Sequence, residues 1–312
     1  MSIREFKGTD IDQILSIWNT AMPYNSISKK LFIKNILLDV NFDKKGFLVS
    51  EKNNTIDGFI YGLRRRLPVD IGGIVEEDTG WICAIGIKDA NEILTLGSQL
   101  ISECERFFKQ CGISTVKACG YSPNYWYQGI NSAYPEYVEL FSKNDYTVIE
   151  KSVSRGINLA NYRTPDDIVD LKKKRESEGF VFTHLQDQYI PSLLDFSNSG
   201  WRHRFRRLIN ECFDYERINL CVYNDEVIGV NVFGDPNSSH ERFGPFGVSE
   251  KFRGLGLGKI LLTDCLETMK NRSLHCAWMQ WSETDNVPNF LYAKIGFKVD
   301  AEYLGFAKTV TL

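Results

Sequence analysis

The reading of this chain turns on residues 241–259, ERFGPFGVSEKFRGLGLGK. Arg242 to Val248 reads as a strand. Arg253-Gly254-Leu255-Gly256-Leu257-Gly258-Lys259 reads as a loop running into a helix, because Leu262, Cys265, Leu266 and Met269 follow at i, i+3, i+4 and i+7. Glycines let a backbone approach a ligand closely. A helix N-terminus adds unsatisfied N–H groups and the positive end of a dipole. With Arg253 and Lys259, these features make a cradle for a phosphate or pyrophosphate.

Two common phosphate loops fail on spacing. A P-loop places four residues between its first glycine and Gly-Lys, then Ser or Thr. Here three residues separate Gly254 from Gly258, and Ile260 follows Lys259. A dinucleotide fingerprint, G-x-G-x-x-G, would need glycine at position 259, which is lysine. Downstream stands a second stretch, Asn286-Val-Pro-Asn289-Phe-Leu-Tyr292-Ala-Lys-Ile-Gly296-Phe297.

The two stretches, in this order, resemble the GNAT superfamily of N-acetyltransferases. Arg253, Gly256 and Gly258 fill its Q/R-x-x-G-x-G/A acetyl-CoA motif, and Tyr292, Gly296 and Phe297 fill its closing Tyr-x-x-x-Gly-Phe. The resemblance departs at two places: the spacing from Asn286 to Tyr292 is one residue short, and Asn289 stands where Ala is common. It is carried by motifs over residues 180–312 and by fold pattern alone over 1–160.

The resemblance implies an α/β fold of two tandem GNAT-like domains, each a splayed mixed sheet flanked by helices. The fourth and fifth strands of the second sheet would be Arg242–Val248 and Leu274–Trp281, with Gly244, Pro245 and Gly247 suiting a bulged strand that cannot pair throughout. Acetyl-CoA is the implied co-substrate. Phe246, Gly247, Val248, Arg253, Gly254, Leu255, Gly256, Leu257, Gly258, Lys259, Asn286, Asn289 and Tyr292 are its implied contacts. Backbone N–H groups near Phe246–Val248 would stabilise an oxyanion. Tyr292 would act as general acid toward the leaving sulfur after direct attack by a neutral amine; the plainer reading is a helix tyrosine packed beside the cofactor. Glu241 and Glu283 are base candidates. The acceptor class is a small-molecule or peptide amine. The alternative is a non-catalytic acyl-CoA-binding or regulatory module that kept the cradle.

The halves align with each other. Ile85-Gly86-Ile87 lies over Phe246-Gly247-Val248, and Leu96-Gly97 over Leu257-Gly258. Phe141 to Tyr146 then lies over Tyr292 to Phe297. The copy at 1–160 carries Glu92 for Arg253, Ile93 and Thr95 for Gly254 and Gly256, and Phe141 for Tyr292. A carboxylate repels a pyrophosphate, so the first copy keeps the packing pattern without the ligand chemistry. Residues 161–178, polar and charged, read as a partly helical linker, and 179–312 as the catalytic domain.

Composition sets the remaining bounds. The 312 residues suit two domains, with 43% hydrophobic and 25% charged residues typical of a globular protein. A net charge of −3 argues against a dedicated nucleic-acid binder. The basic run Trp201–Arg207, with His203, reads as an exposed helix face or a cleft wall. His240 reads as a turn residue. The eight cysteines show no CxxC pair and no zinc spacing, which suggests reduced core thiols, a cytoplasmic setting and no metal. No apolar run has membrane-spanning length. Arg64-Arg65-Arg66 reads as an exposed strand end. Tyr121, Tyr125, Trp126 and Tyr127 read as cover for the seam between domains.

Overall fold

The computed structural model describes residues 2–68, 75–118, 120–122, 124, 126, 128–196, 205–206, 208–210, 214–234, 239–283 and 287–310, without the side chains of 281–283 and 287–289. The chain divides into two units, 1–153 with 301–312, and 154–300. The expected division assigned all of 179–312 to the second half. The observed boundary instead falls inside the last strand, whose C-terminal part belongs to the first unit.

The first unit is built from β1 (Ser2–Glu5), α1 (Ile11–Ala21), α2 (Lys29–Phe32), β2 (Phe47–Lys52), β3 (Thr55–Arg64), β4 (Thr79–Ile87), α3 (Ile93–Gln110), β5 (Thr115–Ala118), β6 (Ile130–Asn131), α4 (Pro135–Lys143) and β7 (Thr147–Asn158). β1 to β4 form antiparallel neighbours, and β4 pairs parallel with β5 from Thr79–Thr115 to Ile82–Ala118. Every residue of β4 is buried, as its unbroken apolar run requires of a central strand. The next neighbour of β5 comes from the far end of the sequence: Phe306 to Thr309 pair antiparallel with Ala118 to Thr115. Phe306 stacks on Phe141 at 5.6 Å, inside the first unit's core.

Two readings of this half are corrected. Arg65 is not an exposed strand end: its guanidinium lies over the rings of Trp81 and Tyr121 and pairs with Glu76 at 3.1 Å. Tyr121 and Trp126 fill the unit's own core, where Trp126 packs against Trp18, Phe32 and Phe59. Tyr125 and Tyr127 lie outside the described residues.

The second unit begins inside β7 and continues with α5 (Asp166–Ser177), β8 (Val181–His184), α6 (Ile190–Phe196), β9 (Ile218–Tyr223), β10 (Glu226–Phe233), β11 (Phe243–Val248), α7 (Leu257–Asn271), β12 (Cys276–Glu283), α8 (Val287–Ile295) and the start of β13 (Lys298–Thr309). One sheet runs β11-β10-β9-β8. α7 buries Leu257, Ile260, Leu261, Leu262, Cys265, Leu266 and Met269, a wider stripe than the four residues its spacing announced. Burying each such side chain is worth about 1.5–3 kcal/mol. The expected linker folds as α5, which ties to α7 through Lys172 and Asp264 at 2.8 Å. Among the described cysteines all are free thiols; Cys83, Cys104, Cys221 and Cys265 are buried, whereas Cys276 is exposed and departs from the core assignment.

Candidate acyl-transfer site

β11 reaches the site through a defect in its pairing. Its register with β10 runs Val248–Gly229, Gly247–Val230 and Phe246–Asn231, then slips by one residue before Phe243–Phe233. The extra residue falls at Gly244-Pro245, as the sequence suggested, because proline offers no N–H to the ladder. On its other side β11 meets β12 at one isolated parallel bridge among the described residues, Arg242 to Trp278, with the Trp278 N–H donating to the Glu241 carbonyl at 3.1 Å. Past that point, among the described residues, β11 is paired to β10 and β12 has β7 as its neighbour. The two parallel strands therefore splay toward their C-terminal ends.

Alternation along a strand decides which backbone groups face the split. The Ser249 N–H donates to the Ile228 carbonyl at 2.8 Å, toward β10. Successive N–H groups point to opposite sides, so those of Val248 and Phe246 face the split. Gly247, between them, directs its N–H toward β10.

The glycine loop stands at the open end. Gly254 and Gly256 hold φ +86° and +79°, and Gly256 caps α7 in the left-handed conformation that favours glycine. A Cβ at Gly254 would meet nothing within 4 Å. Gly258 sits where three elements converge: a Cβ there would lie 3.4 Å from Phe246 and 3.8 Å from Leu291 and Val248. Arg253 and Lys259 are exposed, and among the described residues Arg253 makes a surface pair with Glu250 at 3.0 Å, which holds it weakly. Close backbone approach, helix N–H groups and two exposed cations fit the diphosphate of a coenzyme A thioester.

Tyr292, on α8, lies against β11. Its ring contacts Phe243 at 5.8 Å, Phe246 at 6.2 Å and Phe297 at 5.6 Å, and 4% of the residue is exposed. Burial pushes its pKa well above that of an ordinary phenol. Glu241 and Glu283 stand at opposite ends of β12. Glu241 belongs to the closed end, where its carboxylate, after burial, raises the pKa of Cys276. Glu283 is the last residue of β12, five residues past Trp278, about 16 Å away along an extended strand. Asn289 falls on α8 with its side chain outside the description; Asn286, His203 and the rest of 201–204 lie outside the described residues. His240 is exposed.

The equivalent place in the first unit is occupied by the protein itself. The Lys88 N–H donates to Asp57 as Ser249 does to Ile228, so the Ile87 N–H faces away from β3, as Val248 faces away from β10. There the hydroxyl of Tyr137 accepts it at 3.0 Å. Where the second unit has its glycine loop, α3 has already started, at Ile93. The Glu92 carboxylate accepts from the Thr95 hydroxyl at 2.6 Å, over the first turn of α3. Sequence reasoning found Glu92 and missed Tyr137, whose place on the apolar face of α4 reads as ordinary core.

Residues 181–297 match the model of the acetyltransferase (GNAT) family. The chain as a whole has a tandem GNAT fold. It superposes on a GCN5-related glucosamine N-acetyltransferase region of a fungal multi-domain GH3 β-N-acetylglucosaminidase with a TM-score of 0.80, at 16% identity, covering 98% of this chain and 38% of that one. A GCN5-related N-acetyltransferase from Sphaerobacter thermophilus gives 0.72 at 14% identity, covering 99% and 95%. A tandem GNAT protein from the clavulanic acid biosynthesis pathway gives 0.67 at 11%, covering 100% and 99%. At such identities the likeness is one of fold. No curated protein matches the sequence. Among the described residues the GNAT fold here carries no group of three His, Cys, Asp or Glu able to hold a metal, and no helix long and apolar enough to cross a membrane.

Proposed function

We propose that the second unit transfers an acetyl group from acetyl-CoA to an amine, and that the first unit carries no acetyl-CoA site. The observation that carries this reading is the split between β11 and β12, with the glycine loop at its open end and Tyr292 against its wall. Arg253, Lys259 and the N–H groups of Gly254 to Lys259, including Leu255 and Leu257, would hold the diphosphate. The Phe246 and Val248 N–H groups would receive the pantetheine arm and the acyl carbonyl, with Asn286 and Asn289 alongside. Bound acetyl-CoA supplies an acyl group activated as a thioester.

The residues of the chain then have distinct tasks. The Phe246 and Val248 N–H groups stabilise negative charge on the acyl oxygen, at no reorganisation cost because the strand fixes them. Tyr292 keeps its proton because burial disfavours the phenolate, and it gives that proton to the departing sulfur. An alkylammonium must lose a proton before it attacks; Glu241 or Glu283, directly or through water, takes it. Their positions at opposite ends of β12 support a single base rather than two acting together.

The test is release of free thiol from acetyl-CoA over a panel of small amines and amino-terminal and lysyl peptides. Turnover on any acceptor supports transfer. Tight acetyl-CoA binding with no turnover across the panel supports the non-catalytic acyl-CoA-binding module instead.

A further inference from the structure

We propose that α5 is a positioning element for the diphosphate loop, and that Arg175 sets the orientation of the Leu255–Gly256 peptide; this rests on the acetyl-CoA reading above. The guanidinium Nε of Arg175 donates to the Leu255 carbonyl at 2.9 Å, with the side chain 15% exposed. Leu255 lies between two glycines at positive φ. Turning the Leu255–Gly256 peptide over changes ψ of Leu255 and φ of Gly256, and the missing Cβ of Gly256 leaves either sign of φ open to it. In a trans peptide the carbonyl and the following N–H point in opposite directions. Holding the Leu255 carbonyl against α5 therefore directs the Gly256 N–H away from α5. Turned over, the same peptide would exchange that donor for a carbonyl oxygen, which repels an anion.

Two further contacts make α5 a fixed support. Lys172 pairs with Asp264 on α7 at 2.8 Å, so α5 is anchored to the helix whose first turn carries the loop. Leu171 closes the side of the loop that faces α5: its Cδ2 would stand 2.6 Å from a Cβ on Gly256. Leu171, Lys172 and Arg175 occupy successive turns of one face, the i, i+1, i+4 set of a helix. α5 precedes the segment that matches the family model, which begins at residue 181. The brace is thus a property of the segment joining the two halves of this chain.

The test is calorimetric binding of coenzyme A to the full chain and to Arg175→Gln and Arg175→Lys, with the thermal midpoint of each free protein and hydrogen exchange of the 253–258 amides. A hydrogen bond from a charged donor is lost in Arg175→Gln, so its Kd should rise about tenfold. Exchange at 253–258 should quicken while the thermal midpoint stays near that of the wild type. Arg175→Lys, which keeps a cationic donor, should recover most of the affinity. Coenzyme A bound equally by all three proteins overturns the proposal. So does a loss in Arg175→Gln that follows a matching fall in thermal midpoint and is not recovered by Arg175→Lys, since that marks a general structural role. No coenzyme A binding by the wild type overturns the acetyl-CoA reading itself, and the proposal with it.

Discussion

The hydroxyl of Tyr137 accepts the N–H of Ile87 at 3.0 Å, at the end of β4 that corresponds to Val248 on β11. A split-facing backbone donor is thereby satisfied inside the first unit by a side chain that is 2% exposed, whose own pKa burial pushes up to about 12. Tyr137→Phe leaves that buried N–H without its acceptor. The expected cost is about 1–3 kcal/mol of stability, read by chemical denaturation, with acetyl-CoA binding by the chain unchanged.

Arg253→Glu installs in the second unit the charge that Glu92 brings to the first. Its pair with Glu250 is exposed, so thermal stability should stay within about 0.5 kcal/mol of the wild type. The KM for acetyl-CoA should rise by about 10–100-fold, the loss expected of a charge-assisted contact turned repulsive. Steady-state kinetics with varied acetyl-CoA checks it.

Tyr292→Phe should lower kcat by about 10²–10⁴-fold with little change in the KM for acetyl-CoA. The aromatic packing against Phe243, Phe246 and Phe297 survives that substitution, so the loss reports the hydroxyl. A fall of a few-fold only would remove the acid role. Burial raises the Tyr292 pKa, so the wild-type rate should show no decline from phenol ionisation as pH passes 10.

Much of the fold was legible because its elements announce themselves locally. The stripe from Leu262 to Met269 and the Gly244-Pro245 bulge follow from spacing and from the missing proline donor. The candidate loop was legible because Gly254, Gly256 and Arg253 carry its chemistry in one stretch. What stayed hidden depends on partners distant in sequence. The pairing of Phe306 with Ala118, the stacking of Arg65 on Trp81 and Tyr121, and the grip of Arg175 on Leu255 leave no local pattern. Lys172 and Arg175, inside the stretch read as a polar, charged linker, turn one face of their helix to α7 and the loop.

Because residues 301–312 belong to the first unit, Phe306→Ala should destabilise that unit. Removing a ring that is 1% exposed and stacked on Phe141 is expected to cost about 3–5 kcal/mol. Hydrogen exchange should show quicker opening in β4 and β5, with the β9–β10 hairpin less affected.

Asp10 gives the first unit a pH dependence. Burial raises its pKa, but the Arg4 guanidinium at 2.7 Å and the Lys7 N–H at 2.7 Å more than offset this, and the net pKa is lowered. A lowered folded-state pKa contributes stability above the unfolded value, near 3.9, and that stability is lost as pH falls through the folded value. Asp10→Asn should therefore cost about 2 kcal/mol at pH 7. The difference from the wild type should shrink as the pH is lowered below 4, as followed by urea denaturation across that range.

The central claim, one acetyl-CoA site per chain and that site in the second unit, is tested most directly by calorimetric titration of the wild type and Arg253→Glu with acetyl-CoA. One equivalent bound per wild-type chain, weakened by at least about tenfold in Arg253→Glu, is the expected result. Two equivalents per chain, or one that Arg253→Glu retains at full affinity, would contradict it.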